Sequence, residues 1–533
     1  MAANDHAPNV ESTVAAMSLD EKVGQLFVAG FDGTTPTADI ESLVAEHHLG
    51  GIIYFSRNVE SPDQLRTLSE TLQGFVPDDS PPLLTSIDQE GGRVARLAWG
   101  TEQPSAMAFG AADDPGLATR AGSAVGHELR SLGINVNLAP VLDVNNNPDN
   151  PVIGVRSYGE DPETVAEHGS AYVEGLQEAS VVACGKHFPG HGDTAVDSHR
   201  DLPVIDHDRE RLDRVELRPF RRAIDAGIDA IMTTHVAFPT IAGDADRPAT
   251  LSPRVVTGLL REELGFDGLV FTDCMEMDAI ADGVGTVEGC VQAVEAGCDQ
   301  ICVSHTPEKQ RDAIDAVVAA VESGGVSEAR IDESVRRVLR AKRDYGAGAV
   351  GDDDAWEAAA ADCRAVARTV ADRSVTLVRD DTDVLPLSDE PVRVYEFEGS
   401  RGSLAEESRD DGGALAEALE STGSTVDGSV VEPGEAPDAT AVIGEAPIVV
   451  RTSDVATNPE QTAAVRELSA TAADVVVVAT GSPYDLAAFP SVGTYVTTYD
   501  ATQPSLAVAA AVLLGNREPA GRLPVTIPGE KER

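Results

Sequence analysis

The chain has 533 residues, of which 42% are hydrophobic, and it carries 90 acidic against 40 basic side chains, a formal net charge of −50. This length exceeds what one hydrophobic core usually serves, so two domains are expected. The negative charge is spread along the whole chain, which argues against nucleic acid as a partner, and no stretch of about 18 apolar residues suggests a membrane span.

The basic residues are unevenly divided, with five lysines beside thirty-five arginines. Together with the acidic surplus, this balance is similar to that of halophilic archaeal proteins, which work in molar salt. At about 1 M salt the Debye length is only about 3 Å, so the repulsion among the many carboxylates is largely suppressed. An ordinary acidic protein is the alternative. The first residues show no basic region followed by an apolar core, so we expect a cytoplasmic protein, or a secreted one whose signal has been removed. The six cysteines form no CxxC pair and are predicted to be small core residues.

Short apolar runs alternate with amphipathic segments, a pattern typical of parallel βα units. Helices are predicted between most of these runs, for example over 162–178 and 209–226. Eight βα units predict an α/β fold of the (β/α)8 or TIM-barrel type, with an open doubly wound sheet as the alternative. The eight predicted strands cover 26–31, 51–55, 83–87, 134–138, 181–185, 230–234, 269–272 and 300–304.

The domain boundaries are predicted from the point at which the alternation of apolar runs and amphipathic segments is interrupted. A catalytic barrel is predicted over residues 1–345, ending in a helix over 328–345, and a linker rich in glycine and aspartate over 346–357. Residues 358–533 are predicted to form a smaller αβα sandwich. Its predicted elements are a helix that ends at 373, strands over 375–378, 392–397 and 475–480, and a helix over 505–514.

Polar side chains follow nearly every predicted barrel strand. The carboxyl ends of the strands in such a barrel meet at one mouth, where the chemistry of these folds is kept. This placement favours a closed barrel over an open sheet with a single switch point. The residues concerned are Asp88, Asp143, Lys186 with His187, His235, Asp273 and His305.

The segment KHFPGHGDTAVDSH, residues 186–199, is the most informative part of the chain. It holds three histidines and two aspartates immediately after the apolar run over 181–184. Pro189, Gly190 and Gly192 exclude a helix directly after this strand, so the imidazoles and carboxylates lie on irregular chain at a strand's carboxyl end. Such a segment is predicted to be a reactive loop.

This segment closely resembles the signature of the β-N-acetylglucosaminidase branch of glycoside hydrolase family 3. The similarity spans most of the first 345 residues and continues more loosely to the C-terminus. It implies a barrel followed by an αβα domain, and a retaining, exo-acting hydrolase that releases terminal β-linked N-acetylglucosamine through a covalent glycosyl-aspartate intermediate. Other stretches similar to the family are DQEGGRVAR at 88–96 and the segments over 156–159, 232–236 and 271–273.

The resemblance implies that Asp273 is the nucleophile and that His199, paired with Asp197, is the acid/base. Imidazole titrates near pH 6.5, so one group can donate a proton in the first step and remove one from water in the second. Two alternatives stay open: Asp273 as the N-cap of a helix over 275–281, and Asp197 with His199 as a local hydrogen-bond motif. Cys274 and Met275 follow Asp273 where many relatives place Asp-Leu.

Five further residues match family positions that hold the sugar, and each has a simpler structural interpretation. The arginines among them could be ion-pair partners, and the histidine could lie in the core. The expected partner is a small carbohydrate, with no metal or cofactor, and the oligomeric state is left open. The five residues are Asp88, Arg96, Arg156, Lys186 and His187.

Three other functions are weighed against this one. A β-N-acetylglucosaminide phosphorylase or a β-glucosidase of the same family is the nearest, because a histidine acid/base does not repel phosphate. A non-catalytic sugar-binding protein is disfavoured because all three catalytic candidates are present. A zinc-dependent hydrolase is also disfavoured, since Pro189 and Gly190 break the helical spacing of its ligands. Those ligands would be His187, His191, His199, Asp193 and Asp197.

Overall fold

A computed structural model describes residues 10–197, 202–387, 391–397, 412–431, 447–471 and 474–530. An eight-stranded sheet and a six-stranded sheet dominate these residues, and a two-stranded hairpin accompanies them. The strands of the first part are β1 (Phe27–Ala29), β2 (Gly51–Tyr54), β3 (Leu84–Ile87), the hairpin strands β4 (Gln89–Gly91) and β5 (Val94–Ala95), β6 (Val136–Asn137), β7 (Val182–Phe188), β8 (Ala230–Thr233), β9 (Leu269–Phe271) and β10 (Ile301–Val303).

The eight-stranded sheet is a TIM-like barrel. Its strand order is β10-β1-β2-β3-β6-β7-β8-β9, and every neighbouring pair is parallel. A parallel bridge between Phe271 and Gln300 joins the last two strands of the ring. Each of the eight predicted strands is confirmed to within a few residues, and the doubly wound alternative is wrong.

Helices surround the barrel and connect its strands. The predicted helix over 162–178 is confirmed, and its start is explained by Asp161, whose side chain accepts from the amide of Thr164. A π-helix covers Arg254–Glu263. The other helices are α1 (Val10–Ala16), α2 (Leu19–Gly24), α3 (Ala38–Ala45), α4 (Pro62–Gly74), α5 (Ala106–Ala112), α6 (Pro115–Ser131), α7 (Pro162–Glu178), α8 (Arg209–Arg214), α9 (Leu217–Asp225), α10 (Pro239–Ala242), α11 (Asp278–Ala281), α12 (Thr286–Ala296), α13 (Pro307–Glu322) and α14 (Glu328–Asp344).

The prediction of one continuous helix over 209–226 is wrong. The chain breaks between α8 and α9, where Val215 leaves helical geometry with a φ of −116° and a ψ of −75°. The next residue, Glu216, is buried and pairs with Arg211. Pro219 explains the break, because it has no N–H to donate to the carbonyl of Val215 and its ring clashes with that carbonyl in a continuous helix.

Two apolar layers stabilise the barrel. Inside it, side chains of alternate strand positions fill the lumen, as in other closed barrels of this size. Outside it, a larger cluster packs between the strands and the helices. The lumen residues include Val28, Ile53, Leu84, Val136, Val182, Met232, Leu269 and Phe271. All six cysteines are free thiols, and all but Cys274 are buried, as predicted.

The second sheet forms an αβα sandwich. Its order is β11-β16-β15-β14-β12-β13, parallel except for the antiparallel edge strand β11. Helix α17 packs on one face, and α16 and α18 pack on the other. The elements are α15 (Asp353–Ser374), β11 (Thr376–Asp380), β12 (Val392–Phe397), α16 (Ala414–Ser421), β13 (Val426–Val431), β14 (Ile448–Thr452), α17 (Pro459–Thr471), β15 (Val475–Ala479), β16 (Thr494–Thr497) and α18 (Gln503–Leu513).

Part of the predicted linker over 346–357 is helical. Helix α15 begins at Asp353, because the side chain of Asp352 accepts from the amide of Ala355 and caps it. The helix then buries Cys363 and Val366 in the outer core of the barrel. Within the ranges that the structure describes, no helix combines the length and the apolarity needed to cross a membrane.

Candidate active site

A cavity of about 590 Å³ opens at the carboxyl ends of the barrel strands. Asp88 follows β3, Lys186 and His187 lie near the end of β7, and Asp273 follows β9. These polar residues share the cavity with apolar ones that belong to the barrel lumen. The lining includes Phe55, Asp88, Glu90, Arg96, Leu138, Arg156, Lys186, His187, His191, Met232, Asp273, Glu276, Met277 and His305.

One wall of the cavity is a network of alternating charges. Nζ of Lys186 lies 2.7 Å from Oδ1 of Asp88 and 2.7 Å from Oε1 of Glu90. Arg156 donates to both carboxylate oxygens of Glu90, from Nε at 2.9 Å and from Nη2 at 2.8 Å. Arg96 reaches Asp88 at 3.4 Å. Each charge in this wall is therefore fixed by at least one opposite charge.

The network keeps its members ionised although they are buried. Burial opposes ionisation of Asp88, but Lys186 and Arg96 hold its pKa below the usual value. Burial likewise opposes the charge of Glu90, and Arg156 and Lys186 hold its pKa well below the ordinary range. For Lys186, the two carboxylates outweigh burial and raise the pKa. A sugar entering the cavity meets preorganised charges rather than neutral groups.

His187 and His191 are oriented from beneath by Asp143. Oδ2 of Asp143 lies 2.7 Å from Nδ1 of His187, and its Oδ1 accepts from the amide of His191 at 2.7 Å. Although Asp143 is fully buried, the nearby His187 holds its pKa below the usual value. Burial, with repulsion from His187, lowers the pKa of His191 to about 4, so this imidazole is neutral near pH 7.

Asp273 lies two residues after β9, which is separated from β7 by one strand in the ring. Its Oδ1 accepts from the amide of Cys274 at 2.7 Å, and its side chain is half-buried in the cavity lining. Nε2 of His235 lies 3.0 Å from the carbonyl oxygen of Cys274. The buried His235 therefore supports the backbone next to Asp273 from below.

The loop that follows β7 is anchored near its start. Asn150 donates to the carbonyl oxygens of His191 and Gly192 at 2.9 and 3.0 Å. Asp197, the predicted partner of the acid/base, is buried. His199, the predicted acid/base itself, lies outside the described residues.

The family model "Glycosyl hydrolase family 3 N terminal domain" matches residues 18–341, and the corresponding C-terminal domain model matches residues 375–533. The chain belongs to glycosyl hydrolase family 3. It is therefore a glycosidase that acts on carbohydrate, as the sequence predicted.

Three relatives illustrate this family 3 membership. A solved family 3 β-N-acetylglucosaminidase from Paenibacillus sp. str. FPU-7 is 43% identical, with a TM-score of 0.90 over 96% of this chain and 99% of that one. A β-N-acetylglucosaminidase/β-glucosidase of Cellulomonas fimi is 31% identical over 97% of this chain and 95% of its own length. β-Hexosaminidase A of Pseudoalteromonas piscicida is 37% identical, but over only 58% of this chain and 56% of its own length.

The family 3 site brings the five predicted sugar-holding residues together. Asp88, Arg96, Arg156, Lys186 and His187 all line the one cavity. Both arginines are also ion-paired, so the structural interpretation and the binding interpretation apply to the same side chains. The alternative that Asp273 caps a helix over 275–281 is wrong, because α11 starts only at Asp278 and Met277 is its N-cap.

Two residues of this family 3 site had no assigned role in the sequence. Glu90 lies in the DQEGG stretch, two residues after Asp88, and the sequence alone gives it no role. In the structure it lies on the hairpin strand β4 and pairs with Lys186. The sequence indicates Asp143 only as a polar residue after a strand, and its pairing with His187 depends on the fold. Of the five ligands weighed for a zinc hydrolase, His199 lies outside the described residues, and the three-ligand group found among the described residues contains neither His187 nor His191.

Proposed function

We propose that this family 3 enzyme is a retaining, exo-acting β-N-acetylglucosaminidase. The observation that carries the proposal is the position of Asp273 at the carboxyl end of β9, in the same cavity as the charged wall of Asp88, Lys186 and Arg96. The printed names of the relatives from Paenibacillus and Cellulomonas fimi support N-acetylglucosaminide as the substrate class.

In the proposed first step, a carboxylate oxygen of Asp273 forms a bond to the anomeric carbon as the bond to the leaving oxygen breaks. His199 donates the proton that the leaving oxygen acquires, and Asp197 favours the charged imidazole. The product is a glycosyl ester of Asp273 and a free aglycone alcohol. The described residues proposed for this step are Asp273 as the nucleophile and the side chains that would bind the sugar hydroxyls.

In the proposed second step, neutral His199 removes a proton from water as the water oxygen attacks the anomeric carbon. The ester bond to Asp273 breaks, the carboxylate is restored, and the sugar leaves with the anomeric configuration of the substrate. Asp88, Lys186, Arg96, Arg156 and His187 are proposed to bind the sugar hydroxyls throughout. Their mutual ion pairs preorganise them, so little reorganisation accompanies each step.

The smaller domain is proposed to support the charged wall. Arg93, in the turn between β4 and β5, is ion-paired with Asp454 and donates to Oγ of Ser453 at 2.7 Å. The same hairpin carries Glu90. We also propose a cytoplasmic location, which the six unpaired cysteines support because disulfides are rare in a reducing compartment.

The test is a panel of nitrophenyl β-glycosides, assayed in molar KCl with and without phosphate. We expect turnover of the N-acetylglucosaminide, slower turnover of the glucoside, and free N-acetylglucosamine as the product in both buffers. The anomer released first, followed by NMR, should be β. Release of sugar 1-phosphate would establish the phosphorylase, a glucoside preference the β-glucosidase, and an α-anomer would exclude the retaining mechanism.

A further inference from the structure

A cluster of metal-binding side chains lies outside the catalytic cavity. Asp193, His207 and Glu216 each offer one ligand atom, and these atoms lie within 4.8 Å of one another. Nε2 of His207 lies 2.6 Å from Oδ2 of Asp193. None of the three lines the cavity that holds Asp273.

Glu216 shows that this cluster is incomplete as it stands. Its side chain is only 3% exposed, and Oε1 accepts from Nη2 of Arg211 at 3.1 Å. Among the described residues, the other oxygen, Oε2, is buried and has no hydrogen-bond partner, and the buried Nε of Arg211 has none either. A buried carboxylate oxygen without a partner is unfavourable and uncommon in folded proteins.

The charges of the cluster leave room for a cation. Two carboxylates face one guanidinium, so with a neutral imidazole the net charge is negative. Arg211 occupies only Oε1 of Glu216 and approaches Asp193 no closer than 3.7 Å. A metal ion bound through Oε2 would satisfy the orphaned oxygen without displacing the guanidinium from Oε1.

We propose that Asp193, His207 and Glu216 bind a divalent cation of the zinc class. One imidazole nitrogen and two carboxylate oxygens are a ligand set that Zn²⁺ accepts, at about 2.0–2.2 Å, with water completing the tetrahedron. The site differs from a catalytic zinc centre, because it shares neither His187 nor His191 and lies away from the sugar cavity.

The positions of the three ligands along the chain indicate what a bound cation would do. Asp193 lies before, and His207 after, the residues proposed as acid/base, Asp197 and His199. Glu216 precedes α9 and packs against the same loop, since a Cβ placed on Gly190 would lie 2.9 Å from the Cβ of Glu216. The cation would join both ends of the loop to α9. Only this consequence for catalysis rests on the proposed function; the binding site itself does not.

The test measures zinc binding to the full chain in molar KCl. After treatment with a chelator and its removal, ZnCl₂ is added, bound zinc is measured by atomic emission, and unfolding is followed by circular dichroism. We expect about one zinc ion per chain and a melting temperature that rises by several degrees when free zinc is about 100-fold above Kd. MgCl₂ should have no such effect.

Variants locate the zinc. Glu216→Gln and His207→Gln should each weaken zinc binding at least tenfold, whereas Glu210→Gln, an exposed carboxylate on α8, should leave it unchanged. Arg211→Gln should tighten binding, because it removes the competing cation; an ordinary ion-pair cluster would only lose stability. His207 is about one-third exposed, so its variant should fold even where Glu216→Gln does not.

The proposal fails if stoichiometric zinc is absent, or if both ligand variants bind zinc as well as the unaltered chain. Asp273→Asn separates this result from the glycosidase assignment. That variant should lose turnover but bind zinc normally, so the two proposals can fail independently.

Discussion

Nζ of Lys186 lies 2.7 Å from Oε1 of Glu90, and the two side chains are 3% and 6% exposed. Arg156 also donates to both carboxylate oxygens of Glu90, from Nε and from Nη2. One carboxylate therefore compensates two cations inside the wall of the active-site cavity. Removing the charge of Glu90 would leave Arg156 without its paired carboxylate and Lys186 with Asp88 alone, in a buried site where unpaired charges are costly.

Glu90→Gln is expected to lower the free energy of unfolding by about 3 kcal/mol, because it breaks a buried ion pair from one side. The matched control is Glu163→Gln, which removes an equally close pair with Arg218 in which both side chains are nearly half exposed. The control should cost less than about 1 kcal/mol. Chemical denaturation of both variants in molar KCl measures these changes. Equal losses of unfolding free energy in the two variants would show that burial does not determine how much an ion pair contributes to stability.

Asp273→Asn is expected to lower kcat on an N-acetylglucosaminide by on the order of a thousandfold or more, since the amide keeps the shape but cannot form the glycosyl ester. Its thermal unfolding should match that of the unaltered chain. Asp278→Asn, at an exposed carboxylate of the same cavity, is the control and should stay within a few-fold of full activity. Retention of more than a few per cent of activity by Asp273→Asn would disprove its role as nucleophile.

His199→Ala is expected to slow hydrolysis of unactivated disaccharides by roughly 10²–10⁴-fold, the usual contribution of a general acid. Glycosylation by activated phenyl substrates should be spared, because their leaving group needs no proton. Azide should partly restore deglycosylation, and Asp197→Ala should behave in the same way but more mildly. Pre-steady-state kinetics on both substrate types are the measurement, and an equal loss of glycosylation rate on both would contradict the acid role.

The barrel was predictable because its strands are short apolar runs between helices with clear ends. The run ending at Phe271 and the capped start at Pro162 are examples in which local sequence and tertiary structure agree. In the sandwich domain, β13 was missed because its sequence VDGSVV is polar and mostly exposed. β16 was missed because its TYVT run is short and bounded by glycine and threonine; both strands form by pairing with distant neighbours.

The sugar-holding residues were found through motifs, whereas their partners needed the fold. Asp143 and His187 lie 44 positions apart, and Lys186 and Asp88 lie 98 apart. No local pattern encodes such pairs. The break between α8 and α9, in contrast, has a local cause that the sequence does show, because Pro219 cannot donate to the carbonyl of Val215. The long-range pairs of the site therefore depend on tertiary contacts, which composition and spacing do not reveal.

Glu128 on α6 is expected to make the stability of the fold depend on pH. Its carboxyl group is fully buried beside Trp99 and Cys363, and burial raises its pKa from 4.5 to about 7. Between these values the folded chain binds the proton more tightly than the unfolded one. Its stabilising contribution is therefore complete below about pH 4.5 and is lost as pH rises through 7.

Glu128→Gln should remove this dependence, so the variant should gain about 3 kcal/mol relative to the unaltered chain between pH 4.5 and 8. Glu174→Gln, exposed on α7, is the control and should leave the pH profile unchanged. Denaturant unfolding at several pH values provides the comparison. Parallel profiles for Glu128→Gln and the unaltered chain would show that Glu128 does not titrate in this range.

The charge of −50 and the five lysines predict that molar KCl or NaCl is needed to keep the chain folded. At about 0.1 M salt the Debye length is about 10 Å, so carboxylates repel one another over several residues; at about 1 M it is about 3 Å. The melting temperature, followed by far-UV circular dichroism, should rise over this range. A neutral osmolyte at low salt separates screening from exclusion effects, because it adds no ions and should restore stability only in part. An unchanged melting temperature would disprove adaptation to salt, yet it would leave the active-site proposals intact, since those depend on Asp273 and its neighbours.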